Sequence, residues 1–558
     1  MAKGEAAADL VLANANIVNT FNGEIEPGNV AICGDRIAGV GNYKQARRVI
    51  DLKGKYICPG LINGHIHLES SMLHVSQYAK AVVPRGTLAV VTDFHEIANV
   101  SGMAGIKYML DCAKTLPLDV YLMVPSCVPA THLETSGARL TAKDVAAMLS
   151  WENTLGLGEV MNFPGVLGAD QELMDKIAAA SGRVIDGHAP GLRDKELNAY
   201  LSAGISSDHE CTALDEAKEK LSKGMYVMIR EGSSEKNLET LLPLVTDKTY
   251  TRCLFVVDDR SCADLLRDGD IDAVVRKAIR LGLNPVRAIQ LATINSARYF
   301  RLHNLGAIAP GYFANLIVVG DLSTFEAEMV FYRGELVAEQ GKPLFSPQVA
   351  EDKEMTRTVK VKPFDIKALR MPARGKNHPV IEIVPNQIIT KKVKARVKVD
   401  DGFVAPDTER DTLKLVVVER HKATGNIGLG LVQGFGLKRG ALASSIAHDS
   451  HNIVAIGTSD SDIYLAVGAI EKLQGGLVAV ADGKVLGSLP LPIAGLLSKE
   501  LLETVVERFE GLQAIAGELG SRLADPFATL SFLALPVTPE LRLTDLGLVD
   551  VLAFKLLK

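Results

Sequence analysis

Two histidines separated by one residue, His65 and His67, are the residues of this sequence most able to do chemistry. Side chains alternate along a strand, so these two imidazoles project to the same side. Two imidazoles in that arrangement can bind one divalent cation. An H-x-H pair alone is a weak signal. It becomes a strong one at the carboxyl end of the first strand of a barrel, where barrel enzymes place their active sites.

Four more potential ligands each follow an apolar run, and they occur in order along the chain: Glu159, His188, His209 and Asp258. Any one of them could be an ordinary hydrogen-bonding residue. Six such residues at successive strand ends favour a metal centre instead. Four imidazoles and two carboxylates are enough for two divalent ions that share a bridging oxygen ligand.

The elements that position these residues are predicted from short apolar runs separated by helical stretches between residues 60 and 300. Examples are residues 88–92, 120–124, 184–187, 226–229 and 253–257. Fully apolar strands alternating with helices indicate parallel strands buried on both faces. About eight such units fit, which is the size of a (β/α)₈ barrel.

Glycine-punctuated strand patterns flank this region on both sides. They predict an α/β chain whose barrel, residues 61–304, is inserted in a small β-sandwich-like domain made of residues 1–60 plus 305–362. Residues 363–558 are predicted to form a C-terminal α+β domain with mixed strands and helices.

Composition limits the possible partners and the compartment. The 558 residues are 47% hydrophobic and 5% aromatic, with a net charge of -5, so we expect a globular protein that binds no nucleic acid. No apolar run approaches the roughly 18 residues of a membrane helix, and we expect no membrane partner. The seven cysteines include no C-x-x-C pair, which favours reduced thiols and a cytoplasmic location.

Together these features resemble the amidohydrolase superfamily, and within it the adenine deaminase family. The resemblance covers both the barrel and the C-terminal domain, and its segments are GLINGHIHLESSM (60–72), TDFHEIANV (92–100), VPSCVPA (124–130), GFGLKRG (434–440) and SSIAHDSHN (444–452). One departure is Phe94, where the family pattern has proline, and it affects the expected local turn.

The resemblance implies hydrolysis of adenine to hypoxanthine and ammonia, a purine-salvage reaction. It also implies that His65, His67 and Asp258 hold one metal ion and that His188 and His209 hold the other. Glu159 would bridge the two ions, in place of the carboxylated lysine found in many relatives. An oxygen bridge favours Mn²⁺ or Fe²⁺, with Zn²⁺ also accepted.

The expected reaction is attack of a metal-activated hydroxide on the purine ring. We assign Asp258 as the group that takes the proton of this water and passes it to the leaving ammonia, with Asp259 as second choice. A ring nitrogen must also gain a proton. His95, Glu96 and Glu69 are the candidates for that step, and the sequence does not choose among them.

A histidine-rich segment of the C-terminal domain, with His448, Asp449 and His451, has two interpretations. It could be a capped loop at a domain surface. Alternatively, it contacts the substrate and closes the barrel mouth, which would limit solvent access.

Three other functions fit the sequence less well. A cyclic amidase normally carries lysine where this chain has Glu159, and an amino-sugar deacetylase lacks the segment at 448–451. A catalytically inactive scaffold usually loses ligands, and here all six positions are filled. We therefore expect a purine as the small-molecule substrate. We also expect a homodimer or higher homo-oligomer, because barrels with added domains often dimerise.

Overall fold

The structure is a computed structural model that describes residues 1–346, 349, 352–385 and 387–557. The chain begins with five strands, β1 (Ala8–Asn19), β2 (Glu24–Cys33), β3 (Arg36–Gly41), β4 (Ala46–Asp51) and β5 (Tyr56–Pro59). β1 and β2 form an antiparallel hairpin whose turn contains Gly23 at a φ of 81°. Glycine adopts this left-handed conformation without steric cost, which explains the tight reversal.

The predicted barrel is confirmed: eight parallel strands follow one another along the chain. They are β6 (Leu61–Asn63), β7 (Thr87–Thr92), β8 (Asp119–Val124), β9 (Thr154–Val160), β10 (Val184–Gly187), β11 (Ser207–Asp208), β12 (Tyr226–Arg230) and β13 (Cys253–Val256). They pair in the orders β6-β7-β8-β9-β10 and β11-β12-β13. A parallel bridge between Ile66 and Asp258 joins the first strand to the last. Every residue of β7 and β13 is buried, as expected for strands covered on both faces.

Helices surround the barrel strands. They are α1 (Val75–Val82), α2 (His95–Ala113), α3 (Ala142–Leu149), α4 (Phe163–Leu167), α5 (Gln171–Ala179), α6 (Asp194–Ser202), α7 (Leu214–Ser222), α8 (Leu238–Leu241), α9 (Cys262–Arg267), α10 (Ile271–Arg280), α11 (Pro285–Leu291) and α12 (Ile294–Tyr299). Their starts carry local signals, such as the capping box of Thr141 and Asp144 on α3. None of the helices in the described ranges combines the length and apolar character needed to cross a membrane.

Both flanks of the barrel join one sheet. Four strands follow the last barrel helix: β14 (Leu316–Val319), β15 (Ala327–Tyr332), β16 (Glu335–Glu339) and β17 (Lys342–Pro343). The nine-stranded sheet has the order β17-β16-β15-β14-β5-β1-β2-β3, with β4 beside β1. β14 pairs with β5, and Leu316 lies opposite Pro59. The chain therefore enters the barrel after β5 and returns from the barrel to the neighbouring strand β14. The barrel is thus inserted in the small β domain, as predicted, while the residue boundaries of the domains stay a prediction.

The C-terminal part is a separate α+β unit. Its elements are β18 (Asn377–Ile383), β19 (Thr390–Arg396), β20 (Lys398–Asp400), β21 (Phe403–Ala405), β22 (Thr412–Val418), β23 (Ile427–Gln433), β24 (Ala441–Ser444), β25 (Ile453–Gly457), α13 (Asp460–Leu473), β26 (Gly476–Ala481), β27 (Lys484–Pro490), α14 (Leu502–Glu518), α15 (Pro526–Phe532), β28 (Leu541–Thr544), β29 (Gly547–Asp550) and β30 (Lys555–Leu556). The main sheet has the order β19-β18-β23-β22-β25-β24-β26-β27. The segment at 445–452 joins the neighbouring strands β24 and β25.

Candidate active site

The H-x-H pair meets Asp258 where the barrel closes. His65 Nε2 lies 3.0 Å and His67 Nε2 lies 2.9 Å from Asp258 Oδ1. The backbone fixes this meeting, because His67 N–H donates to Asp258 O (2.7 Å) and Asp258 N–H donates to His65 O (3.0 Å). The residues after β6 and β13 are thus held together by the same bonds that close the barrel.

Glu159 connects this first group of ligands to a second. His188 Nδ1 and His209 Nε2 are 3.2 Å apart, and they lie 2.9 Å and 3.1 Å from Glu159 Oε2. The other carboxylate oxygen, Oε1, lies 3.3 Å from His67 Nε2. The structure therefore brings together all six predicted metal ligands, with one oxygen of Glu159 facing each group.

The donor atoms of this cluster fit a divalent cation. His67 Nδ1 donates to Asp93 Oδ1 at 3.2 Å, so in the neutral ring Nε2 carries a lone pair, yet it faces carboxylate oxygens of Asp258 and Glu159. His65 Nε2 and Asp258 Oδ1 are buried and have no hydrogen-bond partner in the described structure, although they are 3.0 Å apart. Electron-pair donors that converge in this way are compensated by a bound cation.

Arg230, at the end of β12, is a site residue that the sequence analysis missed. Its Nη2 contacts Asp258 Oδ2 at 2.6 Å and Asp259 Oδ1 at 3.0 Å, and its Nη1 contacts Glu210. Burial opposes ionisation of Asp258, but Arg230 and His67 hold the pKa of that carboxyl well below its usual range. A charged residue at the carboxyl end of an apolar strand was the available signal, and it was the same signal that identified Glu159.

Asp259, the second choice for proton transfer, points elsewhere. Its Oδ2 accepts hydrogen bonds from the backbone N–H of Ser234 (3.0 Å) and the Ser234 hydroxyl (2.6 Å), and its Oδ1 is taken by Arg230. Asp258 is therefore the member of this pair whose carboxylate faces the imidazoles.

Asp93 is a second missed residue, and it links two imidazoles. Its Oδ1 accepts from His67 and its Oδ2 accepts from His95 Nδ1 at 3.0 Å. The residue between Asp93 and His95 is Phe94, which is buried and has a φ of 53°. Proline is locked near a φ of −65° and cannot adopt that conformation, so the departure at position 94 corresponds to a turn that proline would not form.

The three candidates for protonating the ring have different surroundings. His95 Nε2 lies 3.4 Å from Glu96 Oε1. Glu69 Oε1 accepts from the backbone N–H of Ile97 at 3.2 Å, while its Oε2 is buried without a partner in the described structure. Burial, together with the nearby Glu96, raises the pKa of Glu69 to about 7.

The C-terminal domain reaches this site through Glu96. His448 Nδ1 lies 2.8 Å from Glu96 Oε1, and His451 Nε2 contacts Glu96 Oε2. Since His451 Nδ1 accepts from the backbone N–H of Ala447 (3.2 Å), its proton is on Nε2 and is donated to Glu96. Neutral His451 is thus a hydrogen-bond donor here, not a metal ligand. Burial opposes ionisation of Glu96, but His448 and His451 hold the pKa of this carboxyl well below its usual range.

Asp449 lies between these histidines in the sequence and is only 4% exposed. A carboxylate oxygen of Asp449 lies within 4.8 Å of donor atoms of His95 and Glu96. Its Oδ2 is buried without a hydrogen-bond partner among the described residues, and burial raises its pKa to about 6. Asn452 Nδ2 donates to Thr135 O at 2.8 Å and fixes the same segment on the barrel.

Comparison with known families covers both parts of this site. The amidohydrolase family profile matches residues 56–337, and the profile described as the adenine deaminase C-terminal domain matches residues 387–555. A protein of Dehalococcoides mccartyi named adenine deaminase is 62% identical over 557 residues, which is 100% of this chain and 98% of the relative. The chain belongs to the adenine deaminase family. Adenine deaminase 2 of Carboxydothermus hydrogenoformans is 52% identical over 555 residues, which is 99% of this chain and 97% of that relative.

Membership of the adenine deaminase family agrees with the way the site is divided between domains. The six clustered candidate ligands lie within the range matched by the amidohydrolase profile, and His448, Asp449 and His451 lie within the range matched by the C-terminal profile. The site thus draws on both matched regions.

Proposed function

We propose that this chain hydrolyses adenine to hypoxanthine and ammonia at the centre built around Glu159. The observation that carries the proposal is the Glu159 carboxylate, which directs one oxygen to His67 and the other to His188 and His209. Similarity to adenine deaminases over the whole chain supports the choice of adenine over cyclic amides or acetylated amino sugars.

The residues support a site for two divalent ions. His65, His67 and Asp258 would hold one, His188 and His209 the other, and Glu159 would bridge them. A carboxylate bridge makes the donor set harder, which favours Mn²⁺ or Fe²⁺ over Zn²⁺. When bound, such ions supply a water of lowered pKa as the nucleophile at neutral pH.

Asp258 is the group that we assign to proton transfer. Arg230 binds Oδ2 and leaves Oδ1 on the side of His65 and His67. The Asp258 carboxylate would take a proton from the attacking water and return it to the departing amino group. Arg230 thereby acts as a positioning residue for this carboxylate.

Two free carboxylate oxygens would contact the purine itself. Glu69 Oε2 is the choice for protonating a ring nitrogen, because both oxygens of Glu96 are engaged by His448 and His451 and both nitrogens of His95 face carboxylates. Asp449 Oδ2 would accept a ring N–H of the base. Substrate oriented by such contacts reacts faster because its entropy is lost on binding, before the chemical step.

The setting that we propose is purine salvage in the cytoplasm. All seven cysteines are free thiols, which supports a reducing compartment. A homo-oligomer stays a prediction from the sequence.

The test is an assay of the manganese-loaded chain with adenine, adenosine, AMP, dihydrouracil and N-acetylglucosamine 6-phosphate. We expect hypoxanthine and ammonia from adenine, and at least about a hundredfold lower kcat/KM for adenosine and AMP, because a ribose at the ring nitrogen would remove the N–H that Asp449 accepts. Comparable kcat/KM values for adenine and adenosine would contradict the free-base assignment. Turnover of the amide substrates without turnover of adenine would overturn the proposed function.

A further inference from the structure

A buried lysine lies next to the loops that carry the second group of ligands. Lys220, in α7, is 0% exposed. Its ammonium donates to Asp208 Oδ2 (2.9 Å), Glu216 Oε1 (2.6 Å) and the backbone oxygen of Ala189 (2.7 Å). A lysine ammonium has three donors, and all three are therefore used. Lysine is rarely buried this completely unless it is paired, so the contacts define a built network.

The partners of Lys220 adjoin His188 and His209 in the chain. Asp208 is the last residue of β11 and directly precedes His209, while Ala189 directly follows His188. Asp208 Oδ1 also accepts from the backbone N–H of Ala189 at 2.8 Å. Ala189 is thus held through both its N–H and its C=O, and the two ligand-bearing loops are tied to each other.

Helix α7 extends this network to the rest of the loop after β10. Glu216 Oε1, which accepts from Lys220, also accepts from the backbone N–H of Gly191 at 2.9 Å. Although burial alone would lower the pKa of Lys220, Asp208 and Glu216 hold it above its ordinary value. The ammonium therefore stays charged and balances two carboxylates that would otherwise repel each other.

We propose that Lys220 is a positioning residue that sets the separation of His188 and His209 and thereby the affinity of the second cation site. This inference rests on the two-ion centre of the proposed function. His65 and His67 are held by different contacts, namely the backbone bonds to Asp258 and the hydrogen bond to Asp93. Loss of Lys220 should therefore affect one ion and spare the other.

The first test compares Lys220→Met with the wild-type chain and with Lys223→Met, a control one residue beyond α7 whose side chain is 25% exposed. Each full-length protein is stripped of metal and titrated with Mn²⁺ in equilibrium dialysis. Loss of a side chain that supports a ligand typically weakens metal binding by about 10–100-fold. For Lys220→Met we expect this loss of Mn²⁺ affinity at the site of His188 and His209, and an unchanged Mn²⁺ affinity at the other site. Lys223→Met should bind both ions as the wild type does.

Two results would overturn the inference. One is second-ion affinity in Lys220→Met equal to that of the wild type. The other is equal weakening of both ions, which would mean a general loss of structure. If wild-type protein bound a single ion, the two-ion centre would fail, and the role of Lys220 would fail with it. If wild-type protein bound two ions but did not deaminate adenine, the proposed reaction would fail while the binding result for Lys220 would still stand.

A second variant keeps the test decisive if Lys220→Met does not fold. Lys220→Met combined with Glu216→Gln removes one buried charge of each sign and leaves Asp208 bonded to Ala189. Electron paramagnetic resonance at two equivalents of Mn²⁺ separates a coupled pair from isolated ions. We expect a coupled signal in the wild type and mainly uncoupled Mn²⁺ in the double variant. A coupled signal of wild-type intensity in the double variant would contradict the proposed role.

Discussion

The Glu159 carboxylate contacts both groups of imidazoles, and this makes it the side chain on which the proposed two-ion centre depends. Glu159→Gln replaces one oxygen by an amide nitrogen that cannot bind a cation, and it removes a negative charge between two dications. We expect loss of at least one of two bound ions and a fall in kcat for adenine of at least about a hundredfold. Metal analysis and the hypoxanthine assay check this outcome.

Glu152→Gln is the matched control, because Glu152 is exposed and lies seven residues earlier in the chain. It should keep both ions and full activity. If Glu159→Gln also kept both ions and normal turnover, Glu159 would not be the bridging ligand.

At the residue scale, the sequence predicts which six side chains lie together, but it does not predict the residues that support them. His65, His67, Glu159, His188 and Asp258 follow runs rich in apolar residues, and the parallel strands bring these residues and His209 to one end of the barrel. Arg230 ends an apolar strand and Asp93 follows one, as the predicted ligands do, but like Lys220 they are single charged residues without a spacing pattern such as H-x-H. Their roles depend on which loops the barrel brings side by side, and local sequence does not contain that information.

At the scale of elements, the apolar runs predict strands to within a residue or two. The run at 226–229 became β12 (Tyr226–Arg230), and the run at 253–257 became β13 (Cys253–Val256). The shortest barrel strand, β11 (Ser207–Asp208), carries almost no signal of its own. The order of the C-terminal sheet was also beyond prediction, because it depends on pairing between strands far apart in the chain, such as β18 with β23.

The contact between α10 and the first barrel strands contains a carboxylate that destabilises the fold at neutral pH. Asp270, just before α10, is fully buried and accepts from Asn63 Nδ2 (3.1 Å) and the Thr87 hydroxyl (3.3 Å). Burial, with Asp272 nearby, raises its pKa to about 6 from an ordinary value of 3.8. The Asp270 carboxyl therefore binds a proton more tightly in the folded protein than in the unfolded chain. Its contribution to the free energy of unfolding falls as the pH rises from about 4 to 6.

Asp270→Asn tests this point, because asparagine keeps the acceptor for Asn63 and removes the charge. We expect the free energy of unfolding to rise by about 1–3 kcal/mol at pH 7.5, with little change near pH 4. Denaturant unfolding at the two pH values measures the difference. Equal effects at both pH values would mean that ionisation of Asp270 does not change the stability of the fold, and destabilisation at pH 7.5 alone would mean that the ionised carboxylate stabilises it.

At the scale of the whole molecule, the C-terminal domain contributes side chains to a site whose six proposed metal ligands all come from the barrel. The contacts of His448 and His451 with Glu96, and of Asn452 with Thr135, hold the segment at 448–452 against the barrel. Such a domain can exclude water from the site and orient the substrate.

His448→Ala and His451→Ala test the contribution of this domain. Both variants should keep two metal ions, and at least one should lose about tenfold to a thousandfold in kcat/KM for adenine. His303→Ala, at an exposed histidine, should behave as the wild type. Normal turnover in both C-terminal variants would reduce the segment to a stabilising loop, and loss of a metal ion from either would add that histidine to the ligands.

The most direct test of the two-ion adenine deaminase is a titration of activity with metal. Metal-free chain receives increasing Mn²⁺, and hypoxanthine formed from adenine is measured together with the metal bound per chain. We expect turnover to rise until two ions are bound and then to stay constant. Full turnover with one ion or none, or two bound ions without hypoxanthine, would contradict the account.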